Sequence, residues 1–110
     1  MNQQETILQI ILHGGNARSL SMEGISLAKQ GHLEEAREKI EEAVEALHLA
    51  HRTQTQLIQE EAKGQKTEVS LLLIHAQDHL MNAMTVKDLA KEFIDLYERM
   101  GSSVESIEYK

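Results

Sequence analysis

Apolar residues recur at steps of three and four along most of this chain, and the pattern is broken by glycines. The clearest period runs through Leu33, Ala36, Ile40, Ala43, Val44, Leu47 and Ala50, then Leu57 and Ile58, as expected for the buried stripe of one amphipathic helix. The other face of the same segment carries Glu34, Glu35, Glu38, Lys39, Glu41, Glu42 and Glu45, a charge run that reads as a solvated face. Gly31 and Gly64 mark helix ends, and Gly101 precedes a polar tail. These marks divide the chain into helices over about 3–30, 33–63 and 67–100 with a tail at 101–110, Thr67 serving as the third helix's N-cap. Short connectors make neighbouring helices antiparallel. The expectation is one all-α domain spanning 1–110, an up-down-up three-helix bundle. In the tail only Val104, Ile107 and Tyr109 break the polarity, so it is expected to dock weakly at most.

Two segments depart from simple amphipathicity. Gly14-Gly15 and Gly24 interrupt the first helix, where each glycine costs up to about 1 kcal/mol relative to alanine, so a packing or functional reason is expected. The third helix is apolar nearly all the way around, through Val69, Leu71, Leu72, Leu73, Ile74, Leu80, Met81 and Met84. One face of a free-standing bundle needs far less than that, so self-association is expected.

Composition narrows the function classes. The 110 residues include no cysteine and no proline, which excludes a disulfide scaffold, a thiolate zinc site and a thiol nucleophile, and favours long helices. A net charge of −7 argues against nucleic acid as a partner, because phosphate backbones need a basic face. The N-terminal sequence lacks a signal peptide's basic region, and no stretch reaches the roughly 18 apolar residues of a membrane span. A cytoplasmic protein without membrane insertion is expected.

The informative string is Ile74-His75-Ala76-Gln77-Asp78-His79-Leu80-Met81. His75 and His79 are one turn apart, and Asp78 lies three residues after His75. Polar groups inside the most apolar stretch need partners if buried. If the second and third helices turn near residue 65, residues whose numbers sum to about 130 lie level with one another. His51 then reaches the level of His79, and Gln54 that of Ala76, while His13 and Gly14-Gly15 fall close by. Three segments thus converge on one layer. Two chemistries suit it. One is a metal site from His75, Asp78 and His79, with or without His51, as zinc is bound in bundle cores. The other is a nucleophilic histidine, whose ring near its ordinary pKa of about 6.5 offers an unprotonated nitrogen while a hydrogen bond to the other fixes the tautomer. Gln54, Gln77 or a backbone carbonyl is suited to that second role.

The string His75-Ala76-Gln77-Asp78-His79-Leu80-Met81 resembles the active-site signature of the enzyme IIA component of the lactose/cellobiose class of the bacterial phosphoenolpyruvate-dependent sugar phosphotransferase system. Gly15-Asn16-Ala17-Arg18-Ser19 is similar to that family's Gly-x-Ala-Arg-Ser motif, and Ala50-His51-Arg52-Thr53-Gln54-Thr55 to its Ala-His-x-x-Gln-Thr motif. Ala28-Lys29-Gln30-Gly31-His32-Leu33 is similar to its first turn, with His32-Leu33 in place of the usual acidic-aromatic pair. The resemblance implies a nine-helix homotrimer of three-helix bundles. His75 would accept a phosphoryl group from the phosphocarrier HPr and pass it to a cysteine of the IIB component, with an indirect link to the membrane IIC component. His79, His51, Gln54 and Gln77 would be neighbours of the phosphoryl site. Asp78 of three chains would share one magnesium ion at the axis. The transported sugar would be a disaccharide of the cellobiose, chitobiose or lactose type. A metal-binding bundle built on His75, Asp78 and His79 without phosphoryl transfer is the alternative, and a helical interaction module without chemistry is a third.

Overall fold

A computed structural model describes the backbone of residues 2–108 and the side chains of residues 2–101. It contains three helices, α1 (Gln3–Lys29), α2 (Leu33–Ala62) and α3 (Leu71–Glu108), in a rod 67 Å long and about 20 Å wide. The N-terminus of α1 is closed by a reciprocal cap. Asn2 Oδ1 accepts from the Glu5 amide at 2.9 Å, and the Glu5 carboxylate accepts from the Asn2 amide, which satisfies two otherwise orphaned donors. Both turns use the glycines anticipated. Gly31 and Gly64 adopt φ of 88° and 93°, a left-handed conformation that a Cβ disfavours. Each lets its own amide and the next fold back onto the helix. Gly31 N–H and His32 N–H donate to Ala28 and Leu27, and Gly64 N–H and Gln65 N–H donate to Glu61 and Glu60, the Schellman pattern.

The third helix departs from expectation at both ends. It begins at Leu71, not Thr67, because Ser70 is the cap: its Oγ accepts from the Leu73 amide at 3.1 Å, and its carbonyl accepts from Ile74. Residues 67–70 are non-helical. At the other end the helix does not stop at Gly101 but continues to Glu108. Gly101 has no left-handed φ, so it adopts none of the geometry that ended α1 and α2. Tyr109 and Lys110 lie outside the described residues.

Alanine dominates the core and lets the helices approach closely. One cluster, around Ile10, Ala17, Leu47, Ala50, Ala76 and Leu80, lies toward the N-terminal end of α1 and α3. A second, around Ala28, Ala36, Ile40, Ala90 and Ile94, lies near the first turn. The α2 stripe therefore runs Ala36, Ile40, Ala43, Leu47, Ala50 and Leu57, while Ile58 is 56% exposed. Helix α1 packs along both neighbours, but α2 and α3 meet over a shorter stretch.

Helix α3 presents two apolar faces roughly opposite each other. Ala76, Leu80, Ala83, Ala90 and Ile94 are buried. Leu71, Ile74 and Met81, more than half exposed, line the outer side with Asp78 and Thr85. The steps of three and four between these five residues are those of a coiled-coil seam, and Leu89 and Leu96 continue the exposed apolar surface. Among the described residues, no helix is long and apolar enough to cross a membrane.

Candidate functional site

At 100° per residue, the buried face of α3 (Ala76, Leu80, Ala83) is flanked on one side by His75 and His79 and on the other by Gln77. His75 is exposed and His79 half-buried. Their rings meet edge to face, with centroids 4.6 Å apart and planes at 84°, one helical turn bringing them together. Helix α1 supplies the floor. A Cβ placed on Gly14 would lie 3.6 Å from the backbone of His79 and from Leu80 Cα, and one on Gly15 would lie 4.0 Å from His79 Cε1. The glycine pair thus faces α3 and the His79 ring with no side chains, although a Cβ at either position would meet only ordinary van der Waals contact.

The structure separates several residues that sequence arithmetic grouped. Gln54 and Gln77 are at one level as expected, and the Gln54 amide donates to the Gln77 carbonyl oxygen. That pair lies in the α2–α3 seam. Gln77 is two residues, about 200°, around the helix from His75, so in one chain neither glutamine fixes the tautomer of His75. His51 is exposed rather than part of a buried layer. It lines an α2–α3 groove with Leu47, His48, Met84 and Lys87, because a side chain on the antiparallel α2 leans toward the C-terminal end of α3. Summed residue numbers give the level of a side chain but not the side of the helix on which it stands.

Asp78 is exposed between Ile74 and Met81 on the outer stripe. Among the described residues, no group of three histidine, aspartate or glutamate side chains is placed to hold a metal ion. His75, Asp78 and His79 of one chain therefore do not form the metal centre of the alternative: Asp78 points to the seam stripe and the His79 ring toward α1. A single carboxylate of this kind fits a hard divalent cation only when other copies supply further oxygens.

One feature of the site escaped the sequence reading. A cleft beside His79 is lined from α1 by Gly15, Arg18, Ser19, Met22, Glu23 and Ser26. Arg37, Lys39 and Lys87 are engaged in ion pairs; among the described residues Arg18 is not. Its spacing from Gly15, one turn along the same helix, was the available signal.

A family model described as the PTS system, lactose/cellobiose specific IIA subunit, matches residues 5–98. The chain is 61% identical over 102 residues to the lichenan-specific phosphotransferase enzyme IIA component of Bacillus subtilis, covering 91% of this chain and 93% of that protein. The PTS cellobiose-specific enzyme IIA of Bacillus anthracis superposes with a TM-score of 0.89 at 56% identity, covering 93% and 94% of the two chains. A chain from the solution structures of the IIA(Chitobiose)–HPr complex of Escherichia coli superposes with a TM-score of 0.81 at 38% identity, covering 92% of this chain and 98% of its counterpart. The three-helix bundle agrees with these matches, and the chain belongs to the lactose/cellobiose-specific IIA family of the sugar phosphotransferase system.

Proposed function

We propose that this chain is a phosphoryl carrier that takes the group from HPr onto His75 and gives it to a IIB component during uptake of a sugar of the cellobiose, chitobiose or lactose type. The observation that carries this reading is the solvent-open His75 ring, standing at the family's signature position on a rigid helix and braced by His79. A ring nitrogen of His75 attacks phosphorus as the bond to the donor's side chain breaks. In the second step the new P–N bond breaks while the cysteine sulfur of IIB bonds to phosphorus, returning His75 to its starting state. Splitting the exchange in this way replaces one difficult step with two easier ones, and each depends chiefly on in-line positioning. An exposed histidine suits a group handed from protein to protein. His79 is the neighbour best placed to orient the nucleophile.

Assembly as a homotrimer is part of this proposal. The outer stripe of α3 has the spacing of a helix–helix seam and more exposed apolar surface than a lone bundle leaves open. Three copies around that stripe would bring three Asp78 carboxylates together, and Asp78 would then hold a shared magnesium ion. The ion's chemistry there is relief of charge repulsion among carboxylates; it has no part in the transfer at His75. A cytoplasmic location fits partners of this kind. The test is incubation with phosphoenolpyruvate, enzyme I and HPr. An acid-labile gain of one phosphoryl group per chain, absent in His75→Ala, is expected; no gain in the wild type refutes the proposal.

A further inference from the structure

The surface of α2 changes chemistry along its length. Its first half carries Glu34, Glu35, Glu38, Glu41, Glu42 and Glu45, whereas its last turns and the loop that follows carry Gln56, Gln59 and Gln65. Three elements enclose a hollow at this amide-rich pole. Helix α1 starts at Gln3, α2 ends at Ala62 and α3 does not begin until Leu71, so the chain crosses the pole as a non-helical run after Gly64. The hollow, about 620 Å³, falls in the size range of small-molecule sites. Leu57 and Thr6, both buried, form its floor.

Its walls offer two kinds of polar group. Gln3, Gln56, Gln59 and Gln65 supply primary amides, each with a donor group and a carbonyl acceptor, which match neighbouring hydroxyl groups that both donate and accept. Thr6 Oγ1 donates to the Asn2 carbonyl at 3.1 Å, which leaves its oxygen as an acceptor. Lys63 and Lys66 bring two ammonium groups against the single carboxylate of Glu60. Among the described residues the cations held in ion pairs are Arg37, Lys39 and Lys87, so both lysines of the hollow are open to an anion. A local excess of positive charge in a chain of net charge −7 marks the place where an anion would settle. No aromatic side chain lines the hollow, so a nucleotide base would find nothing to stack on.

We propose that this hollow binds a phosphorylated sugar, with Lys63 and Lys66 holding the phosphate and Gln56, Gln59 and Gln65 pairing with the hydroxyl groups. Such a molecule presents an anion and a set of hydroxyls together, and the hollow answers both. The choice of a disaccharide phosphate as its ligand rests on the function proposed above, because uptake driven by phosphoryl transfer delivers a phosphorylated sugar; the carrier would then sense the product of its own system. The hollow shares no residue with the cleft beside His79. None of its lining comes from α3, so assembly along the outer stripe of that helix does not draw on it.

Titration calorimetry of the full chain with cellobiose 6-phosphate, glucose 6-phosphate, cellobiose and inorganic phosphate tests this site, with the glutamine side-chain amides followed by NMR. The expected result is saturable binding of a sugar phosphate that shifts the amides of Gln56 and Gln59 and is about tenfold or more tighter than that of cellobiose or inorganic phosphate. Lys63→Gln, Lys66→Gln and Gln59→Ala, all at exposed positions, should weaken it, the lysine changes by about tenfold each, as for the loss of one charge-assisted contact. Their phosphorylation by phospho-HPr without added sugar should match the wild type. Tighter binding of cellobiose 6-phosphate assigns the ligand to the transported disaccharide, and tighter binding of glucose 6-phosphate assigns it to a monosaccharide phosphate; either supports the site. No saturable binding of either sugar phosphate, equal binding of inorganic phosphate, or full affinity in all three variants overturns the inference. A wild-type chain that phospho-HPr does not phosphorylate at His75 overturns the underlying function instead and leaves the binding result standing.

Discussion

Gly14 and Gly24 both bring α1 close to a neighbouring helix, but an added methyl group meets different resistance at the two positions. Replacing glycine by alanine inside a helix is worth about 0.8–1 kcal/mol in backbone propensity. At Gly14 the new Cβ would lie 3.6 Å from its nearest neighbours, the His79 backbone and Leu80 Cα, which is ordinary van der Waals contact. Gly14→Ala should therefore realise the whole gain, about 1 kcal/mol. At Gly24 the Cβ would lie 3.2 Å from the Ala36 carbonyl oxygen and 3.3 Å from Ile40 Cδ1. The side-chain end can turn away, but the carbonyl is fixed in the ladder of α2. Overpacking of this kind costs about 1–3 kcal/mol, so Gly24→Ala should be neutral to about 2 kcal/mol destabilised. Urea unfolding at one fixed protein concentration separates the two, since association shifts the apparent stability. With a slope of about 1–3 kcal/mol per molar, Gly14→Ala should raise the midpoint by about 0.3–1 M and Gly24→Ala should not raise it. Equal stabilisation by both changes would show that α1 does not approach α2 as closely as described.

Further changes probe the core, the seam and the site's boundaries. Leu80→Ala removes a side chain that is 1% exposed beneath the histidine pair and should cost about 2–5 kcal/mol in urea unfolding. Gln54→Ala leaves Gln77 without its partner and should cost about 1 kcal/mol while leaving the rate of His75 phosphorylation intact, because that pair lies on the far side of α3; a large loss of rate would place the glutamines at the site after all. Asp78→Leu replaces a carboxylate on the apolar stripe. The variant should keep the assembly's mass by ultracentrifugation and make it indifferent to chelators, since apolar packing of similar volume commonly matches or exceeds buried charge; dissociation into monomers would contradict the seam.

The bundle was legible because its signals are local. Glycines at the two turns, an acidic face on α2 and steps of three and four among apolar residues are properties of neighbouring positions, and they recur in the structure with the turns where expected. The doubled apolar face of α3 was equally readable from the angular spread of its side chains. What failed depended on the third dimension. Ser70 outcompeted Thr67 as a cap through a hydrogen bond to Leu73, and both residues have the chemistry for that role. His51 and Gln54 fell at the level of the histidine pair by counting, yet α2 approaches α3 from the side opposite His75. The sequence also invited a buried polar layer where the structure has an exposed His75 beside a half-buried His79. Including the turn angle of 100° per residue would have placed Gln77 away from His75, but only coordinates show on which side α1 supplies the glycine pair.

His75 and His79 are one turn apart with their rings in contact, so the most direct test is to locate the phosphoryl group between them. Fragmentation of the chain after phosphorylation by phospho-HPr, under alkaline conditions that preserve phosphohistidine, assigns the added mass to one residue. The expected result is full occupancy at His75, an unmodified His79, and no modification in His75→Ala. Phosphate on His79 in the wild type, or phosphorylation that survives loss of His75, would contradict the assignment of the carrier residue.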